Sequence, residues 1–456
     1  MPGIFPGQRS TRGTVFPMRL RPRGLVTAAF ALLFAAMATG PAAARPAPPA
    51  QIAPLGPDFL WGVASSGFQS EGHAPDSNWS RYVAEGKTAD PYRDSVDFFD
   101  RYRSDIELAK QLGVRVYRIG IEWARVQPQP GVWSEDGLRF YDEVISAITA
   151  AGMRPMLTLD HWVYPGWEAD RGGWRNPGMV DDWLANAHTV VDRYARFDPL
   201  WVTFNEPTFY GVNEVQHGGL SAAELPMLAA KLAQAHNAVY DYIHGVQPGA
   251  WVTSNVAYVP GGDDVVSKPF LSAIAARLDF VGIDYYYGLT FDNVVSILQN
   301  FDMLWRNPLE PEGIYYALQN YARAFPGKPL YIVENGMPTE NARPRGDGYT
   351  RADDLRDTVY WLQRARADGI NVVGYNYWSL TDNYEWGSYS PRFGLYTVDA
   401  LSDPSLTRRA TDAVPAYTAI THDGGVPADY RPTRAPLTCS LVDAAASCLD
   451  PVTAPH

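Results

Sequence analysis

A repeat of apolar runs constrains this chain more than any other feature. FLWGVASS, VRVYRIGI, RPMLTLDH, LWVTFNE, AWVTSNV, FVGIDYYY, PLYIVEN and VVGYNYWS begin at positions 59, 114, 154, 200, 250, 280, 329 and 372. A strand with one face in water alternates apolar and polar residues, whereas near-continuous apolar strands suit a parallel sheet covered on both faces. Segments of helical period separate the runs. Over residues 93–112, Phe99, Tyr102, Ile106 and Ala109 share one helical face, and Gly113 supplies the stop. Strand-then-helix repeats of this number over roughly 350 residues predict an α/β fold, a single-domain (β/α)8 TIM barrel spanning residues 58–422. An open doubly wound sheet is the alternative, but its Gly-rich phosphate-binding turn is not found in the sequence.

The two ends read differently. Arg19, Arg21 and Arg23 precede the apolar run Leu25–Met37, which ends in small residues before Arg45. This is the layout of a secretory signal peptide over residues 1–45, cleaved near Arg45 to release an extracellular protein. Met18 is an alternative start. The run falls short of the about 20 apolar residues that span a bilayer, so no stable membrane insertion is expected after cleavage; an uncleaved anchor is the alternative. Pro46, Pro48, Pro49, Pro54 and Pro57 prevent helix and mark an extended linker over residues 46–57. Gly, Pro, Ala and Thr dominate residues 423–456, a tail holding the cysteines Cys439 and Cys448. In an exported protein these two are expected to pair as a local disulfide, the alternative being two free thiols.

Charge and motif content exclude several functions. A net charge of −12, with Lys and Arg clustered only in the first 25 residues, argues against nucleic acid as a partner. Cys-x-x-Cys and His-Glu-x-x-His spacings are both missing, so no metal or redox site is expected. The 14 Trp and 27 Tyr suffice for a large core and also supply flat surfaces on which sugar rings stack.

In a (β/α)8 barrel the site lies at the C-terminal ends of the strands, so polar residues that end apolar runs are the candidates. Glu206 ends LWVTFNE before Pro207, and Glu334 ends PLYIVE before Asn335-Gly336. A carboxylate is costly to bury, but at a strand mouth it faces a polar pocket. Either glutamate alone reads equally well as a solvated loop residue or a helix cap. As a pair, on the fourth and seventh strands, they match what glycosidic cleavage requires: two carboxyl groups across an anomeric carbon.

TFNEP at 203–207, YIVENG at 331–336, FLWGVASSGFQSEG from Phe59 and YWSLTDNYEWGSYSPRFGLYTVD from Tyr377 resemble, in order, the signatures of glycoside hydrolase family 1. The resemblance runs from about Phe59 to Asp399. It implies a retaining β-glycosidase of β-glucosidase type, with Glu206 as acid/base and Glu334 as nucleophile. It also implies Asn205 on the sugar 2-hydroxyl, and Arg118 and Tyr286 beside the nucleophile. Gln69, His161, Glu385 and Trp386 are implied as hydroxyl-binding groups, Trp378 as stacking floor and Phe393 as wall. Each of these has a bland reading as core packing or a structural ion pair. Physically, a cation and a phenol donor beside Glu334 favour its charged, nucleophilic form, and that charge keeps Glu206 protonated.

The sequence departs from the family in places. Asp284 stands where the family usually has Asn, WVYP follows His161 where WDLP is common, and several βα loops are short, including the one after Gly72. Asp382 and Glu385 in a Trp/Tyr-rich loop suit hydroxyl binding and would repel a phosphorylated sugar. The expected reaction is hydrolysis of terminal β-D-glucosides or β-D-galactosides, with no cofactor and a small carbohydrate as the partner. Transfer to a non-water acceptor, a non-catalytic sugar-binding protein and a structural barrel are the alternatives.

Overall fold

A parallel strand cannot return to its neighbour's start without a crossover of a dozen or more residues, and helices supply it here. The structure, a computed structural model, describes residues 52–259, 262–288, 304–307 and 309–434. Its main strands are β1 (Leu60–Ala64), β2 (Val116–Gly120), β3 (Arg154–Asp160) and β4 (Leu200–Asn205), followed by β5 (Trp251–Ala257), β6 (Val281–Asp284), β7 (Leu330–Asn335) and β8 (Val372–Trp378). They pair in parallel in chain order, and β8 closes onto β1 through Leu60 opposite Gly374 and Ala64 opposite Trp378. The expected (β/α)8 barrel is the observed one. The signal segment of residues 1–45 and the Cys439–Cys448 pair lie outside the described residues.

Helices Phe98–Gln111, Glu135–Ala150, Met179–Tyr194, Leu225–Val246, Lys268–Ile274, Gly313–Ala324, Arg351–Ala367 and Ala413–Asp423 follow the strands in turn. The first starts later than the sequence period suggests. Arg93, Ser95 and Asp97 all take positive φ, which interrupts the helix until Phe98. Phe98 therefore fills the core beside Tyr102, Ile106 and Ala109, while Phe99 is half-buried and stacks on Phe140, 4.4 Å between ring centroids. Gly113 ends the helix as expected, at φ +74° with its N–H donating to Lys110 O.

Side chains inside the barrel form a plug beneath the strand mouths: Val116, Met156, Leu200, Val202, Phe280, Tyr331 and Val333. A larger cluster lies between strands and helices, with Trp61, Tyr117, Trp201 and Ile332 on the outer strand faces. Strict alternation from Val202 would turn Asn205 outward, and from Val333 would turn Glu334 outward. The pairing register shifts between Val202 and Asn205, and again between Ile332 and Asn335. Thr203 and Phe204 consequently both face the helices, bonding His236 and stacking on Trp183. Asn205 and Glu334 come round to the interior, where both meet Arg118. Such irregularities re-aim side chains at functional sites.

The chain segments flanking the barrel are clasped together. Gln363 donates from Nε2 to Ala53 O at 2.8 Å and to Val426 O at 3.1 Å, and its Oε1 accepts from Val426 N at 2.8 Å. Ile52 and Leu55, in the proline-rich stretch, are buried. Beyond Val426, Asp357 accepts from Tyr430 OH, Thr433 N and Arg434 N at 2.7–2.9 Å, holding that segment along the helix Arg351–Ala367.

The long loop after β8 is organised by Asp382. Its carboxylate accepts from Arg392 Nη1 (3.0 Å), Gly394 N (2.9 Å), Thr397 Oγ1 (2.6 Å) and Val398 N (3.0 Å). Three of these donors hold Oδ2 and one holds Oδ1, all from the loop itself, so Asp382 shapes the wall, whereas its sequence context suggests a hydroxyl-binding group. Asp382→Ala leaves the buried Arg392 with only a 3.5 Å contact to Asp399 as a charged partner and removes the acceptor of the loop's backbone N–H groups; it is expected to cost about 3 kcal/mol of stability. Urea or thermal unfolding reads that loss directly, and a change below 1 kcal/mol would show that the loop holds its form without Asp382.

Candidate active site

Arg118 projects from β2 into the barrel with no exposed surface. Its guanidinium donates from Nε to Thr158 Oγ1 on β3 at 2.9 Å, from Nη2 to Asn205 Oδ1 on β4 at 2.7 Å, and from Nη1 to Glu334 Oε1 on β7. Tyr286, just past β6, donates to the other oxygen of Glu334 at 2.8 Å. Both oxygens of Glu334 are thus bound by donors, which fixes the orientation of its carboxyl group.

Glu206 lies one residue beyond β4, at φ +40°, and Pro207 opens the helix Pro207–His217 directly after it. The left-handed turn breaks the strand and sets the side chain at the barrel mouth. One carboxyl oxygen from each of Glu206, Asp284 and Glu334 lies within 4.8 Å of the others. Burial first, and then the negative charge of Glu334, push the Glu206 carboxyl well above its usual range, with Arg118 opposing. Glu206 is therefore held protonated next to the carboxylate of Glu334.

The remaining expected residues converge on the same mouth. Gln69, fully buried, donates from Nε2 to Glu385 Oε2 at 3.2 Å and to Asn383 Oδ1 at 3.3 Å, and its Oε1 accepts from Ser66. His161 stacks between Trp378 and Trp386, at 5.8 and 5.6 Å between ring centroids. Burial and the nearby Arg118 hold its imidazole well below its ordinary range, hence neutral. Trp378 and Phe393 share one small cluster with Ala64, and Tyr286 packs edge-on to Phe393 at 5.7 Å. Trp386 lies on Trp162 at 4.5 Å and against Trp79 at 4.6 Å.

Glu385 is pushed up to about 8, by burial first and by Glu334 second, against donors on Trp378, Asn383 and Gln69. Below that pH it acts as a neutral group able to donate and accept. The expected repulsion of a phosphorylated sugar is correspondingly weaker.

Asn255, two residues before the end of β5, carries no sequence signal comparable to that of the two glutamates, because Val256, Ala257 and Tyr258 continue the apolar run past it. Its Nδ2 donates to Asn205 Oδ1 at 2.7 Å and to Asp284 Oδ2. With Asn205 Oδ1 held by Arg118 and Asn255, the amide orientation is fixed and Nδ2 is left buried without a partner. His161 Nδ1, Asn255 Oδ1 and Asp284 Oδ1 are likewise buried and unpartnered. Buried polar atoms are nearly always paired, so this concentration marks a ligand site with hydrogen-bonding capacity. Three carboxyls could also hold a cation, but the guanidinium of Arg118 already bonds one of them. His73, Asp97 and Asp100 form another such group at the surface.

Comparison with known proteins agrees with this geometry. The sequence profile of Glycosyl hydrolase family 1 matches residues 52–250 and 268–426. The chain is 29% identical over 378 residues to the galactolipid galactosyltransferase SFR2, chloroplastic, of Arabidopsis thaliana, covering 74% of this chain and 60% of that protein, so it spans less than two thirds of that relative. It is 28% identical over 418 residues to beta-glucosidase A of Thermotoga maritima, covering 75% of this chain and 92% of the other. The solved beta-glycosidase from Pyrococcus horikoshii superposes with a TM-score of 0.71 at 28% identity, over 82% of this chain and 96% of that one.

The raised titration of Glu385 has a cost in stability. An unfolded glutamate ionises near its ordinary value of 4.5, while the folded one keeps its proton to about 8. The folded state therefore binds more protons between these values, and stability falls as pH rises through that window. Glu385→Gln removes this term and is expected to raise Tm by about 2 °C or more at pH 8, with no gain below pH 4.5. Thermal melts at the two pH values check it; an equal shift at both would assign the effect to packing instead.

Proposed function

Because the chain belongs to glycosyl hydrolase family 1 and is a retaining O-glycosyl hydrolase, we propose that it hydrolyses terminal β-D-glucosides or β-D-galactosides, with Glu334 as nucleophile and Glu206 as acid/base. The observation that carries this reading is that a carboxyl oxygen of Glu206 lies within 4.8 Å of one of Glu334, a closest approach that suits the nearer, retaining spacing. Retaining pairs stand about 5–5.5 Å apart, whereas inverting pairs need about 6.5–9.5 Å to admit a water between them.

In the first step a Glu334 oxygen bonds the anomeric carbon as the glycosidic C–O bond breaks, and Glu206 gives its proton to the leaving oxygen. Asn205 Nδ2, oriented by Arg118 and Asn255, is placed to donate to the 2-hydroxyl, a contact that strengthens in the oxocarbenium-like transition state. Gln69, His161, Glu385 and Trp386 take the other hydroxyls over the Trp378 floor. Once Glu334 is esterified its charge disappears, and with it the repulsion that kept Glu206 protonated. Glu206 then takes a proton from water, whose oxygen bonds the anomeric carbon as the ester to Glu334 breaks.

A second reading, transfer of the glycosyl group to an alcohol acceptor, is supported by the 29% identity to a galactolipid galactosyltransferase. Export to the outside of the cell is proposed from the Arg19–Arg45 segment alone.

Assays on nitrophenyl β-glucoside, β-galactoside, β-fucoside and β-mannoside are expected to show release that Glu334→Gln abolishes. Glu206→Ala is expected to lose about 10²–10⁴-fold on aglycones that need protonation, with azide restoring turnover as a β-glycosyl azide. Proton NMR of the first-formed sugar is expected to show the β-anomer; the α-anomer would overturn the assignment. Adding alcohols tests transfer, which would divert product from free sugar to the alkyl glycoside.

A further inference from the structure

Asp284 ends β6 directly opposite Glu334 in the strand register, and its side chain has 1% exposure. Its Oδ2 accepts from Asn255 Nδ2, while Oδ1 is buried with no hydrogen-bond partner, in a site where carboxyl oxygens of Asp284, Glu206 and Glu334 lie within 4.8 Å of one another. Among the described residues, the groups that act on it are Arg118 on β2, Glu206 after β4, Asn255 on β5, Tyr286 past β6, Glu334 on β7 and, further off, Tyr321 on the helix Gly313–Ala324. Arg118 is the cation of this set, and it bonds Glu334. Three like charges at such spacing in a buried site cannot coexist beside one cation, so protons must remain on the carboxyls that Arg118 does not hold.

We propose that Asp284 and Glu206 form a carboxyl pair that shares the reaction's proton, making Asp284 a positioning residue that keeps that proton within reach of Glu206 to higher pH. The inference rests on the assignment of Glu206 as the acid/base. Burial, Glu334 and Glu206 all push Asp284 well above its usual range, while its hydrogen bond to Glu206 lowers that carboxyl, so the last proton of the pair rests on Asp284. Coupled carboxyls lose their protons in two separated steps that belong to the pair. Between those steps one proton remains, and it is available to Glu206 from Asp284. During cleavage that proton passes to the leaving oxygen as the glycosidic bond breaks and Glu334 bonds the anomeric carbon. The pair regains a proton from the water that releases the sugar.

Asp284→Asn keeps the shape and the hydrogen-bonding capacity but cannot share a proton. The pH profile of kcat/KM is measured for wild type and Asp284→Asn on an alkyl glycoside, which needs the acid, and on a 2,4-dinitrophenyl glycoside, which does not. For the alkyl glycoside the alkaline limb of the variant is expected to fall about one pH unit or more earlier, with little change for the dinitrophenyl glycoside. Unchanged limbs, or equal shifts on both substrates, overturn the pair. Carbonyl ¹³C NMR titration of labelled Asp and Glu decides the same point without turnover or the variant's folding: Asp284 is expected to titrate in two steps in wild type and in one in Glu206→Gln. Identical titration in both overturns the proposal. Absence of hydrolysis with the two-step titration intact would instead sink the glycosidase reading and leave the carboxyl pair standing.

Discussion

One buried guanidinium organises this molecule's mouth. Arg118 joins β2 to β3, β4 and β7 through Thr158, Asn205 and Glu334, so a single side chain ties four strands together across the barrel. A buried ion pair is seldom a net source of stability, because desolvating both charges offsets their attraction. Its value here is positional. Around that one fixed cation the fold packs four carboxyl groups, Glu206, Asp284, Glu334 and Glu385, and only Glu334 receives the direct contact. The others are driven toward the protonated form by burial and by that neighbour. On the proposed reading, the division of labour between attacking and protonating carboxyls follows from where the cation lies.

The sequence makes the barrel legible because each strand is apolar on both faces and each is followed by a helical period. The same contrast exposes Glu206 and Glu334, since a carboxylate at the end of an apolar run is conspicuous. Their inward orientation is another matter. It depends on register irregularities in β4 and β7, which arise from pairing with neighbours far away in sequence and leave no periodic trace. Asn255 does not end its apolar run, which continues through Val256 and Ala257, and an amide is cheaper to bury than a charge, so it does not stand out. Asp382 misleads for a related reason: its acidity is visible, while the four donors that absorb it come from residues 392–398, brought back by the loop. The delayed start at Phe98 is likewise set by backbone conformation at Arg93, Ser95 and Asp97, where no proline or glycine announces a break.

The family match accounts for the glycone pocket far better than for what lies outside it. On the proposed reading that pocket is lined by Gln69 from the short helix Gly67–Ser70 after β1, by His161, Asn205 and Trp378 at strand ends, and by Glu385 in the braced loop after β8. The aglycone side is built by βα loops, which vary freely on a constant scaffold. Relatives at 27–29% identity include proteins named as glucohydrolase, glucosidase and galactosyltransferase, which is the spread expected when chemistry is held by the barrel and partner choice by its loops.

The Gln363 clasp has a consequence for topology. By binding Ala53 and Val426 with the same amide, it brings together the backbone just before the first strand and just after the last helix, at the barrel end opposite the site. The barrel is in that sense already a ring in sequence space as well as in space. A short peptide bridging residues 53 and 426 would complete a circular permutant, freely reopened at a surface loop, and any module grafted at that seam would project away from the mouth where sugars enter.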